Sequence, residues 1–291
     1  MSSRIIKPRR WPIKPGLTPP EFRDLWRDAI VIPMLEPSGD KVASFGSLRQ
    51  SPAWTSTSTT GIERKVTTLG SAIAFNNPSG SASDQDYIEY NWLPNFGAMT
   101  IVVIVEMKSI LGTNYYEQYV TQGAVSVNNS NFAVGYRHSK HRVFLYSKNG
   151  ASFVWLESDL PSGSDTLNTP HVLAALRDAN SNADCYWDGL LLPHTSMSTG
   201  TPGTSTAKLR IGSGTASTAG NRGVFSGNRV LGVALWPRRL STEAIRRVTD
   251  DFFAMVTMAD DYPAWMPAAA PGGFQPAWAR PRSGMIGAGA Y

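Results

Sequence analysis

KLRIGSGTASTAGNRGVFSGNRVLGVALWPRRLSTEAIRRV, Lys208 to Val248, places two strands and a capped helix behind glycine-rich turns. In KLRIGSG, Leu209 and Ile211 point one way while Lys208 and Arg210 point the other, the alternation of a half-buried strand. Gly212, Gly214, Gly220 and Gly223 supply the turns that follow. Val230 to Trp236 is an apolar run of β-branched and aromatic residues, which predicts a strand covered on both faces. Pro237 ends it, because proline has no N–H to give to a ladder. Ser241 is placed to cap a helix with Glu243 in its first turn, and Leu240 can staple against Ile245. Ile245, Val248, Phe252 and Met255 recur at helical spacing, so one short amphipathic helix should close the domain.

Working outward, more sheet appears. Asn131 to Gly150 predicts two alternating strands around the polar turn Arg137 to His141. ASFVWLESD, Ala151 to Asp159, continues with another, and HVLAALRD, His171 to Asp178, with a further one. The Ser/Thr-rich stretches Ser51 to Thr60 and Thr195 to Thr206 show no periodicity and are expected to be long exposed loops. Short strands between such loops predict an all-β, two-sheet antiparallel sandwich whose inner faces form the core. At 291 residues, one β domain of about 200 to 250 residues with tails accommodates the chain. The lone Cys185 rules out an intrachain disulfide framework and is expected to pack as a small hydrophobe. No apolar run reaches the roughly 18 to 20 residues of a membrane-spanning helix, and the basic, proline-broken N-terminus lacks the apolar core of a secretory signal.

Charge is unevenly spread. Residues 1 to 20 carry Arg4, Lys7, Arg9, Arg10 and Lys14 with no acid, and residues 262 to 291 add Arg280 and Arg282. These cations exceed the whole net charge of +5, so the body between them is slightly acidic. A nucleic-acid-binding domain concentrates positive charge on a folded face, so that partner is disfavoured. Both ends are rich in proline, at 8, 12, 15, 19 and 20 and again at 263, 267, 271, 276 and 281, which forbids helices and favours extended arms. The expected organisation is therefore an arm over 1–23, a sandwich over 24–258 and a second arm over 259–291. Aromatic anchors on an extended strand suit docking into another surface. The candidates for an assembly interface are Arg4, Lys7, Arg9, Arg10 and Trp11 in the first arm, and Tyr262, Trp265, Phe274, Trp278 and Tyr291 in the second. Docking on a neighbouring subunit and folding back over the chain's own sandwich would both satisfy these aromatics.

The residues offer little for catalysis. Asp84, Asp86 and Glu89 are the nearest thing to a glycosidase carboxylate set, but Glu89 has the opposite parity to the other two and should fall on the other face of a strand. His138 and His141 sit in a predicted hairpin turn rather than on a helix, and His171 and His194 have no acidic neighbour in sequence. No G-x-S-x-G occurs, and GSGT at Gly212 lacks the lysine of a phosphate loop. No catalytic residue, metal ligand or cofactor is assigned, and no glycan-binding residue is singled out.

Several segments, in order, resemble the laminin-G-like branch of the concanavalin A-like jelly rolls. LWRDAIVIPMLEPSGD, Leu25 to Asp40, resembles its opening strand, and Gly70 to Tyr90 its strand-loop-strand with a D-Y-V-like end. MTIVVIVEMK, Met99 to Lys108, resembles its long central strand, and CYWDGLLL, Cys185 to Leu192, its D-G hairpin. TPHVLAALRD departs from the family's W-H-H-V-like strand, keeping only His171 and the apolar face. The opening MSSRIIKP and the late DDYPAWMP also resemble the ends of laminin-G-like proteins encoded among tailed-bacteriophage structural genes. That resemblance implies a non-enzymatic virion component, a head decoration, head fibre or tail-attached protein assembled in the host cytoplasm. It would be an oligomer docked through its arms onto other virion proteins. The alternative is a glycan-binding adhesion module that recognises a host surface polysaccharide.

Overall fold

The structure is a computed structural model that describes residue 25 and residues 29–33, 54–56, 63–67, 70–75, 87–90, 93–111, 115–123, 128–214, 223–224 and 227–250. In chain order the first strands are β1 (Ile30–Pro33), β2 (Trp54–Ser56), β3 (Glu63–Thr67), β4 (Gly70–Ala74), β5 (Ile88–Tyr90), β6 (Met99–Glu106), β7 (Tyr116–Gln122) and β8 (Ser130–Arg137). The others are β9 (Arg142–Asn149), β10 (Ser152–Asp159), β11 (Pro170–Arg177), β12 (Ala183–Trp187), β13 (Leu190–Leu191), β14 (His194–Ser198), β15 (Leu209–Ile211) and β16 (Arg229–Trp236), before helix α1 (Thr242–Asp250). They form two antiparallel sheets, as the sequence predicts. The first runs β13-β12-β11-β6-β16-β4-β3, with β1 also paired to β16; the second runs β14-β10-β9-β8-β7-β15-β5-β2.

Three apolar layers follow from strand parity. The inner faces meet in the main core, where Ile101, Val103, Val105, Val233 and Leu235 of the first sheet face Tyr119, Phe132, Val134, Leu145 and Leu156 of the second. On the outside of the first sheet, Val102, Ile104, Leu231, Ala234 and Trp236 pack under α1 through Ala244, Ile245 and Val248. Strands β6 and β16 are therefore covered on both faces, the physical reason for their unbroken apolar runs. Register shifts between Val230 and Gly232, and this bulge swaps parity so that Val230 and Val233 both reach the main core.

Local details agree with the sequence reading. The Ala244 N–H donates to Ser241 Oγ at 3.1 Å, and Leu240 and Ile245 are buried in one cluster, the capped and stapled helix start. Asp188 and Gly189 have φ of 50° and 79°, the geometry of a two-residue hairpin turn between β12 and β13. Cys185 is buried in the main core, and burial pushes its thiol well above the usual range. Phe252 and Met255, expected on the closing helix, lie outside the described residues.

Two expected loops contain strands. Trp54–Ser56 pairs with β5, and His194–Ser198 pairs with β10 as the edge of the second sheet. All but the last residue of β14 are exposed, so it is held by backbone pairing and by the Thr195 hydroxyl on Asp159 rather than by a buried face, and leaves no alternation to detect. Arg177 is fully buried on β11. Its guanidinium donates to the carbonyls of Phe96, Gly97 and Asn131 at 2.7 to 3.0 Å, tying a loop of one sheet to β8 of the other, and burial lowers its pKa to about 10.

Candidate functional site

The outer face of the second sheet carries a third apolar cluster, built by alternation on three adjacent strands and β7. Ala133, Phe144 and Tyr146 are buried there, with half-buried Tyr116 and Trp155 packed against them. Trp155 lies parallel to Phe144, 5.8 Å between centroids and 11° between planes, and takes edge contacts from Tyr116 at 5.9 Å and Tyr146 at 5.5 Å. Gly135 lies beneath: a Cβ there would overlap the Glu117 carbonyl and the Phe144 ring, so only glycine lets β7 and the aromatic layer close together.

A charged cluster borders this platform. Arg137 Nη1 donates to both Glu157 carboxylate oxygens, at 2.7 and 3.0 Å, and its guanidinium lies 4.9 Å from the centre of the Tyr116 ring. Arg142 Nη1 donates to Glu157 Oε2 at 3.0 Å and its Nε to Asp159 Oδ1 at 2.5 Å. Hydrogen bonds from Arg142, then from the Thr195 hydroxyl, hold the Asp159 carboxyl below the usual carboxylate range. Arg137 covers one side of Tyr116, so the aromatic surface the platform presents is half-buried Trp155 together with Phe153, two positions along the same face of β10 and 43% exposed.

All four histidines have a carboxylate beside them in space, although none has one in sequence. His138 Nδ1 accepts from the Leu111 N–H at 2.9 Å, which puts the ring proton on Nε2, donated to Glu117 Oε2 at 2.7 Å. Glu117 also accepts from Asn228 Nδ2 at 3.1 Å, so this buried group is a satisfied network between the sheets. His141 meets Asp165 at 2.5 Å, His171 meets Asp188 at 2.8 Å and His194 meets Asp184 at 3.0 Å. Among the described residues, no three His, Cys, Asp or Glu side chains gather as a metal site would require.

Glu89 of the acidic trio is on β5, bound by Arg210 Nε at 2.8 Å and near Lys208 Nζ at 3.5 Å; Asp84 and Asp86 lie outside the described residues. The arm candidates Arg4, Lys7, Arg9, Arg10, Trp11, Tyr262, Trp265, Phe274, Trp278 and Tyr291 lie outside them too. Sequence reasoning missed the platform. The signal was present in VFLY (143–146) and FVWL (153–156): each is apolar at every position of a strand whose inner set already fills the core, so the outer set is surplus to folding.

No protein-family model matches the chain, and comparison with curated proteins finds no relative. Solved structures share its sandwich. The binding domain of Paraclostridial Mosquitocidal Protein 1 superposes with a TM-score of 0.56 at 10% identity, over 78% of this chain and 53% of that domain's chain. A structure reporting that cell entry of botulinum neurotoxin type C depends on two ganglioside molecules gives 0.54 at 10%, over 79% and 52%. Trypanosoma rangeli sialidase in complex with sialic acid gives 0.53 at 15%, over 79% and 34%. The chain thus spans between a third and about half of these longer proteins. At such identities the likeness is one of fold alone, an all-β two-sheet sandwich.

Proposed function

We propose that this chain is a non-enzymatic adhesion module that binds a glycan on the outer face of its second sheet, and that its arms hold it on a tailed-phage particle. The aromatic platform carries the glycan reading. A pyranose presents an apolar C–H face ringed by hydroxyls, and Trp155 bordered by the Arg137–Glu157–Arg142–Asp159 cluster offers one stacking surface beside several hydrogen-bonding groups. The company the fold keeps supports the same reading, since neighbours with this sandwich include the binding domain of a mosquitocidal protein and a botulinum neurotoxin whose cell entry depends on two ganglioside molecules. Asp159 is held anionic by Arg142, the reverse of what a glycosidase acid needs, which favours binding over hydrolysis.

Attachment to a virion rests on the resemblance of MSSRIIKP and DDYPAWMP to phage structural proteins and on the composition of the two arms. Here the notion of a head or tail protein and that of an adhesin coincide: the arms dock and the sandwich binds. The test is retention of the full chain on an array of bacterial surface polysaccharides, with Trp155→Ala as the paired variant. The expected result is binding that weakens at least about tenfold, roughly 1.4 kcal/mol, in the variant, with no reducing ends released from any bound polymer. Equal binding by the variant would place recognition elsewhere, and release of sugar would make the protein an enzyme.

A further inference from the structure

We infer that the platform selects neutral sugars over anionic ones, an inference that rests on the glycan-binding reading above. The reason is the state of its two guanidinium groups. Recognition of a sialate or uronate carboxylate calls for a planar N–H fork that is open to the ligand. Arg137 already spends its Nη1 on both oxygens of Glu157, and Arg142 bridges Glu157 and Asp159. Glu157 is almost wholly buried, with 2% of its side chain exposed, so an incoming anion that drew Arg137 away would leave a buried carboxylate with Arg142 alone and its Oε1 without the Arg137 hydrogen bond.

The same cluster favours a neutral polyol. Two cations face two carboxylates, so the border of the platform is balanced rather than positive. Carboxylate oxygens accept hydrogen bonds, and sugar hydroxyls donate them; half-exposed Asp159 stands where such a hydroxyl could reach it. A second carboxylate brought to this border would meet like charge. Lys148 shares this face of β9 by alternation but lies beyond Tyr146, at the end away from the arginines, and offers a single flexible ammonium rather than a fork.

The experiment is affinity electrophoresis of the full chain through gels holding a neutral polymer (dextran, mannan or galactan) or an anionic one (polysialic acid, polygalacturonate or alginate), at about 0.15 M salt to screen diffuse attraction. The expected result is retardation by at least one neutral polymer, lost in Trp155→Ala, with anionic polymers at least about tenfold weaker. Glu157→Gln, which releases Arg137, should gain polysialic acid binding by about tenfold. Stronger retardation by an anionic polymer in the unmodified chain would overturn the selectivity while leaving the glycan-binding reading intact. Retardation by neither class would overturn both. A neutral preference that Glu157→Gln leaves unchanged would show that the arginine pair does not set it, and would overturn the inference.

Discussion

The Trp236 indole N–H donates to the Leu25 carbonyl oxygen at 2.7 Å, joining positions 211 residues apart in sequence. The ring is fully buried between the outer face of the first sheet and the layer that α1 completes. Trp236→Ala should cost about 3 to 5 kcal/mol by emptying that site. Trp236→Phe keeps most of the ring and loses the hydrogen bond, so it should cost less, leaving the Leu25 carbonyl to find another donor. Chemical denaturation of the three proteins checks the order, and an unchanged midpoint in the alanine variant would contradict the placement.

Gly212 follows β15 with φ of +99°, and a Cβ there would overlap the Phe75 ring. Its N–H donates to the Tyr119 carbonyl at 2.9 Å, so the backbone is fixed and cannot swing away. Gly212→Ala should destabilise by about 2 to 4 kcal/mol, from backbone strain and overpacking together. Gly150 has φ of +58° with open space around the same position, and Gly150→Ala should cost only about 1 kcal/mol. Equal melts for the two variants would refute the packing argument.

Tyr90, Tyr115, Tyr119 and Tyr136 all have phenol pKa values raised, first of all by burial. Unfolded tyrosines lose their protons near pH 10, whereas these stay protonated in the folded chain. Their contribution to stability is therefore intact below about pH 10 and is lost as pH rises beyond it, because deprotonation then favours the unfolded chain. Urea midpoints measured from about pH 8 to pH 11 should fall steeply over the last unit, together with phenolate absorbance. Phenolate appearing well before unfolding would show that these rings are accessible to hydroxide.

Deleting residues 1 to 20 should weaken attachment to particles in a salt-sensitive way, because charge chiefly speeds and orients association. Trp265→Ala or Trp278→Ala should weaken it at any salt, as loss of a buried anchor does. Co-sedimentation with particles lacking this protein measures both. If instead truncation at Met258 unfolds the sandwich and the folded Trp variants attach normally, the second arm belongs to the chain's own core.

Strands buried on both faces were legible in the sequence because their composition is extreme. Val230 to Trp236 reads from its composition as a strand covered on both faces, Met99 to Lys108 resembles the family's long central strand, and the two strands are adjacent in the first sheet. The helix start at Ser241 was legible because capping is local chemistry. Edge strands were not, since β14 buries almost nothing and is held by backbone pairing to β10. The histidine partners were hidden for a different reason. Glu117, Asp165, Asp188 and Asp184 lie 21, 24, 17 and 10 positions from their imidazoles, and only the strand order brings them together. The platform lies between these cases: its aromatics alternate visibly, yet their meaning emerges only once the opposite parity is known to fill the core.

Leu25, which leads into β1, and Val248, near the end of α1, belong to one cluster on the outside of the first sheet. The described part of the chain therefore begins and ends on one side, while Trp155 stands on the other. In mechanical terms, β1 and β16 are antiparallel with Ile30 opposite Leu235, so a force pulling the two ends apart would unzip that ladder one hydrogen bond at a time. Two ends fixed to a common support are not pulled apart. If both arms hold the chain on one particle, as proposed, a load applied at the Trp155 face would pass through both sheets to the pair of tethers without unzipping that ladder.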